Sequence, residues 1–314
     1  MMSQKHWHQI FSRHWLTVGL IGAAIWGVSS GYAPQQLSAQ IQTLPPTANA
    51  TAAETELNRG LSLIQQGQMA AAMSAFQQAA TLDPTLAAAH YNMGLGLRQQ
   101  GKLQEAADAF WKAVQADPQF AMAYANLGAA LIEGNNVDQA QSYLERAIQI
   151  QPDLGNAYYN LGMVYRAQGR AEDAIATLQK AADLSPNAAE PYFQMGLTYL
   201  RQQQYAQAAT VLQKALAVRN QYPEAHYNLG IALFNQGQAE PALDQFRAAT
   251  GLNPNYADAY YSAGLVLIQL GRYDDARNVL GHAKNLYIAQ RNPQWAANAQ
   301  AQLDRVPVNT SGSL

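Results

Sequence analysis

The sequence predicts an all-α protein, a solenoid of tandem helix-turn-helix repeats with a C-terminal capping helix. Three observations predict it. Glycine recurs every 34 residues, at Gly60, Gly94, Gly128, Gly162, Gly196, Gly230 and Gly264. Proline keeps the same interval at Pro84, Pro118, Pro152 and Pro186, and returns in register at Pro254. Alanine holds two further fixed places, one running from Ala72 to Ala276 and the other from Ala79 to Ala283. A fixed period in this range marks an array in which each helix pair buries its apolar face against the next. Placing glycine eighth gives seven repeats: 53–86, 87–120, 121–154, 155–188, 189–222, 223–256 and 257–290.

The segments before the array read differently. Residues 1–33 look like a signal peptide or an N-terminal signal anchor, because Lys5 and Arg13 precede an uncharged apolar run from Trp15 to Val28. That run is shorter than the ~20 residues that span a bilayer comfortably. Ala33 offers a small residue for cleavage but Pro34 follows it, so removal and retention as an anchor both stay open. Residues 34–52 contain no charged residue and carry Pro45-Pro46; they read as a disordered linker. The leader places the chain across or in the inner membrane of a bacterium: periplasm, thylakoid lumen or cell envelope.

Within each repeat the small residues fall where two helices must approach. Seven glycines inside helices each cost ~1 kcal/mol relative to alanine, so close packing is the reason for them. Position twenty-four supplies the plug that meets them: Phe76, Phe110, Leu144, Leu178, Leu212, Phe246 and Leu280. The turn between helices carries Gly67, Gly101, Gly169, Gly237 and Gly271, with Asn135 once, residues that tolerate the left-handed conformation ending a helix. Gln203 stands at this place in the fifth repeat and predicts a turn of another shape there. After the array, residues 291–306 read as a capping helix with Trp295, Ala299 and Leu303 on one face, and 307–314 as a disordered tail.

Composition excludes several functions. Charged residues are 13% of the 314-residue chain and the net charge is −2, so no basic surface is available for nucleic acid. There is no cysteine. Beyond the leader the histidines are His90, His226 and His282, and the first two sit at an aromatic core position of separate repeats, which argues for packing and not for a metal. No zinc-protease helix, phosphate loop or nucleophile elbow occurs. The reading is of a chain that is no enzyme, with no catalytic residue, no metal site and no cofactor.

The glycine, alanine, plug and turn positions together resemble the tetratricopeptide repeat (TPR) family over about three quarters of the chain. That resemblance implies a right-handed α-solenoid whose first helices line a concave groove for protein or peptide partners. It places in the groove the position-six residues Asn92, Asn126, Asn160 and Asn228, and the position-five residues Tyr91, Tyr159, Phe193, Tyr227 and Tyr261. Arg98, Arg166 and Arg201 would add positive points. The amides are similar to the asparagine row of the protein O-linked N-acetylglucosamine transferases, and they could pair with a peptide backbone or serve local packing; both readings stand. The aromatic row is expected to be exposed and to touch a partner. The implied function is a non-enzymatic scaffold. Its alternatives are an assembly or maturation factor for a membrane-associated complex, or a regulatory subunit of a separate enzyme. Oligomeric state is not legible.

Overall fold

The computed structural model describes residues 48–307, with side chains from Thr51 onward. The leader, most of the linker and the tail lie outside the described residues. Fifteen helices fill the described chain and no strand occurs among these residues. They form two units, one reaching Ser185 and the other beginning at Pro186.

The first unit holds four helix pairs: α1 (Ala48–Gln65) with α2 (Met69–Leu82), α3 (Ala87–Gln99) with α4 (Leu103–Ala116), α5 (Ala121–Glu133) with α6 (Val137–Ile150), and α7 (Gly155–Ala167) with α8 (Ala171–Leu184). Helix α1 begins at Ala48, so the last residues of the segment expected to be a loose linker are helical. Nothing between Ala48 and Thr55 opposes a helix: alanines dominate, and proline stops at Pro46.

The second unit holds three pairs and a last helix: α9 (Glu190–Arg201) with α10 (Tyr205–Val218), α11 (Pro223–Asn235) with α12 (Ala239–Leu252), α13 (Ala257–Gln269) with α14 (Tyr273–Ala289), and α15 (Pro293–Arg305). Helix α14 runs a turn longer than the other second helices and contains Ile288, at the place where proline follows five of the other six. Helix α15 then packs on α14, with Asn292 accepting a hydrogen bond from Trp295 N at 3.3 Å to cap its start. It buries Ala296, Ala299 and Gln302 against the array and closes the end of the solenoid.

The plug and the glycine explain the pairing. A β-carbon placed on the position-eight glycines would lie 2.4 Å from the Phe76 ring at Gly60, 2.6 Å from Phe110 at Gly94 and 2.6 Å from Leu178 at Gly162. No side chain fits there. Phe76, Phe110, Phe246, Leu144, Leu178, Leu212 and Leu280 are all at most 1% exposed, each worth about 2–3 kcal/mol of burial.

Every turn between paired helices is closed the same way. The amide three residues past the helix reaches back five residues, as from Lys102 N to Leu97 O at 3.0 Å and from Gln204 N to Tyr199 O at 2.9 Å. Gln203 therefore does not change the turn. It takes φ 60°, beside 61° at Asn135 and 72° to 79° at the five glycines. The packing of α9 on α10 dictates the turn, and a β-carbon bears the strain of it.

First helices also pack on the first helices of the following repeat, α3 on α5, α5 on α7 and, in the other unit, α9 on α11. They therefore form the tighter, inner side of each unit. No helix of the described residues is long and apolar enough to cross a membrane.

Two substitutions in one helix pair should move stability in opposite directions. Gly264→Ala puts a β-carbon 2.5 Å from Leu280 Cγ, whereas the β-carbon of Gly281→Ala in α14 meets nothing within 4 Å. Urea unfolding should show the first destabilised by about 1–2 kcal/mol and the second stabilised by about 1 kcal/mol. Relief of the left-handed strain makes Gln203→Gly stabilising by about 1 kcal/mol in the same measurement; a loss of stability would show that the glutamine side chain holds the turn.

Candidate functional site

The inner face is built from first-helix positions two, five and six, with position thirty-four completing it. Position five is the ring row. Tyr91 is half-buried, its ring 5.7 Å from Phe110 and 4.8 Å from Phe120. Phe193, Tyr227 and Tyr261 are 7%, 7% and 5% exposed. Tyr159 is half-buried. The expected exposed aromatic row is thus corrected for these residues. Three of them pack against the ring that precedes the next first helix: Tyr91 on Phe120, Phe193 on Tyr222 at 4.8 Å, Tyr227 on Tyr256 at 5.0 Å. Tyr261 meets Trp295 of the last helix at 5.6 Å. These rings join repeat to repeat; sequence periodicity gave them a face but not a neighbour.

Position six is buried as well. Asn92, Asn126 and Asn228 are 6%, 9% and 8% exposed, and Gln194 in the same register is 4% exposed. Asn160 is half-buried. The amide nitrogen is used inside the helix: Asn92 Nδ2 donates to Ala88 O at 2.7 Å, Asn126 Nδ2 to Met122 O at 2.9 Å and Asn228 Nδ2 to Glu224 O at 2.7 Å. The oxygens fare otherwise. Asn92 Oδ1 and Gln194 Oε1 are buried and have no hydrogen-bond partner among the described residues. A buried acceptor without a donor costs about 1–3 kcal/mol, which a donor brought by a ligand recovers.

Arg98 is not the free cation expected. Its Nε lies 3.1 Å from both oxygens of Glu133 and its Nη2 2.5 Å from Oε1, a bidentate pair with side chains 16% and 19% exposed. Arg98 Nη1 also donates to Asn126 Oδ1 at 3.2 Å, and Asn126 Nδ2 donates to the Tyr91 hydroxyl at 3.2 Å. Three of the expected residues, Tyr91, Arg98 and Asn126, are thus brought together with Glu133 in one network across α3 and α5. Arg166 is half-buried in α7 and Arg201 is exposed at the end of α9.

Position two holds what the residue-by-residue reading missed. In the second unit it carries Glu190, Glu224 and Asp258 in successive repeats. Arg219 Nη1 pairs with Glu190 at 2.9 Å, and the Tyr287 hydroxyl donates to Asp258 Oδ1 at 2.6 Å. The 34-residue register that located the glycines would also have located these acids. Burial pushes the hydroxyls of Tyr227, Tyr256 and Tyr287 above the ordinary 10.0, and the Asp258 charge raises them further. Burial does the same to Tyr261. The histidines serve packing: His90 Nε2 lies 3.0 Å from Pro84 O and His226 Nε2 3.0 Å from Asn220 O. No group of three or more metal-binding side chains occurs among the described residues.

The raised tyrosines carry a pH dependence. The unfolded chain binds fewer protons above 10.0 than the folded chain, so their contribution is complete below that pH and is lost as pH rises past it. Unfolding free energy should stay level to about pH 9 and then fall, with tyrosinate absorbance from these residues appearing only as the chain unfolds. Full tyrosinate formation in a folded chain would contradict the burial.

Known proteins share this architecture. Residues 119–187 and 153–221 match one tetratricopeptide repeat model, 87–120 match another, and 60–95 match a TPR repeat model. Together these span residues 60–221, more than half of the 314 residues. Residues 213–283 match the model for subunit 3 of the anaphase-promoting complex, cyclosome. Among solved structures, YrrB, described as a TPR protein with an unusual peptide-binding site, is 27% identical with a TM-score of 0.53, over 62% of this chain and 99% of its own. MamA from Desulfovibrio magneticus RS-1 is 25% identical with a TM-score of 0.50, over 55% of this chain and 97% of its own. PilF of Pseudomonas aeruginosa, 21% identical with a TM-score of 0.59 over 68% of this chain and 97% of its own, shares the fold. No curated protein gives a significant match.

Proposed function

Because this chain belongs to the tetratricopeptide repeat family, we propose that it is a non-enzymatic scaffold whose inner face holds an extended polypeptide. One observation carries the reading: the amide nitrogens of Asn92, Asn126 and Asn228 donate to their own helices, and the buried oxygens of Asn92 and Gln194 have no donor among the described residues. A peptide backbone brings N–H groups at regular intervals, and an acceptor row is what such a strand can use. Affinity from main-chain donors is blind to partner sequence, so side-chain positions beside the amides set the specificity. The peptide-binding site ascribed to YrrB supports the same class of partner. The basic-then-apolar leader supports export or anchoring at the inner membrane, with the array displayed beyond it.

The test is affinity capture from native extract with the full chain, beside a triple variant carrying Asn92→Ala, Asn160→Ala and Asn228→Ala. Retention of partner polypeptide should fall at least tenfold in the variant, at unchanged helical circular dichroism. Equal retention would remove the amide row from the binding face.

A further inference from the structure

The second unit repeats a side-chain arrangement as well as a fold. In the fifth repeat the Arg219 guanidinium lies 3.7 Å from the centre of the Tyr222 ring, while its Nη1 is 2.9 Å from Glu190. A carboxylate and a ring face hold the cation between them, and Phe193 backs the ring at 4.8 Å. The sixth repeat carries the same frame 34 residues on: Glu224 for Glu190, Tyr256 for Tyr222, and Tyr227 backing the ring at 5.0 Å. In place of Arg219 it has Asn253, whose Oδ1 accepts from Asn255 N at 3.0 Å and so closes its own turn.

The seventh repeat shows the alternative. There Tyr287, again at the register of Arg219, donates its hydroxyl to Asp258. Two of the three position-two carboxylates are therefore satisfied by the end of their own repeat's second helix. Glu224 is exposed and its carboxylate has neither hydrogen bond nor ion pair among the described residues.

We propose that Glu224 and Tyr256 form a receptor for an arginine side chain of the bound polypeptide, which lies where Arg219 lies one repeat earlier. The planar guanidinium suits this frame better than an ammonium, since it stacks on the ring and pairs edge-on with the carboxylate together. Asn228 follows Glu224 by one helical turn and keeps its Oδ1 as an acceptor for the strand that carries the arginine. The charges of Asp258 and Glu224 both act on the Tyr256 hydroxyl, which favours a cation there. The inference rests on the inner-face reading above.

The experiment uses the full chain and two fluorescein-labelled heptapeptides of alanine and serine, one with a central arginine and one with citrulline, its neutral isostere. Fluorescence anisotropy should give about tenfold tighter binding for the arginine peptide. Glu224→Gln and, independently, Asn253→Arg, which supplies the guanidinium from within, should each erase that preference at unchanged melting temperature. Equal binding of the two peptides, or a preference that survives Asn253→Arg, overturns the arginine receptor while leaving the inner-face reading intact. If neither peptide binds, the inner-face reading falls and takes the receptor with it.

Discussion

The contact between the position-eight glycine and the position-twenty-four plug is the constraint on which the structure depends. Across the array a β-carbon at that glycine would sit 2.4–2.6 Å from the facing ring or leucine. The helices of a pair are held at the distance that a bare backbone allows, and the alanines at positions twenty and twenty-seven, all at most 1% exposed, keep that distance on either side of the plug. From this spacing the rest follows. The turn must be short and left-handed, the position-five ring must find space toward the next repeat, and the position-six amide is pressed into a buried place where its nitrogen bonds a carbonyl of its own helix.

That hierarchy accounts for what was legible in the sequence. Gly94 faces Phe110, and Ala106 shares the Phe110 core, all within a single repeat, so their spacing alone states their roles. Gln203 misled because a turn is decided by the two helices it joins; the residue only raises or lowers the cost. The period puts Tyr91, Phe193 and Tyr227 on the correct helices but does not reveal their neighbours Phe120, Tyr222 and Tyr256, which belong to the junction between repeats. Arg98 was read as free for a like reason: Glu133 lies 35 residues away, one residue outside the repeat period, and no single-repeat pattern pairs them.

The burial of the rings changes what the inner face can recognise. With aromatic surface committed to the junctions, the chemistry left is the amide oxygens without donors, Asn92 in the first unit and Gln194 in the second, and, at position two, a residue that varies. In the first unit that position reads Glu54, Ala88, Met122 and Asn156; in the second it is acidic throughout. An acceptor row grips any backbone equally, so discrimination has to come from the variable position.

A repeat array supplies its own control for such a reading. Glu190, Glu224 and Asp258 share a register and the first turn of a first helix, and the residue that closes each repeat differs: Arg219, Asn253 or Tyr287. Where that residue is arginine or tyrosine it donates to the carboxylate; where it is asparagine, the side chain is held by turn closure through its Oδ1 and makes no bond to Glu224. An exposed carboxylate alone is ordinary solvated surface. One set beside a ring whose counterpart carries a guanidinium at 3.7 Å is different, because the chain itself demonstrates which group that geometry accepts. Position thirty-one thereby decides whether a repeat fills its own cation site or leaves it to a partner, and one substitution in this register moves a repeat from one state to the other without disturbing the glycine contact that holds the pair together.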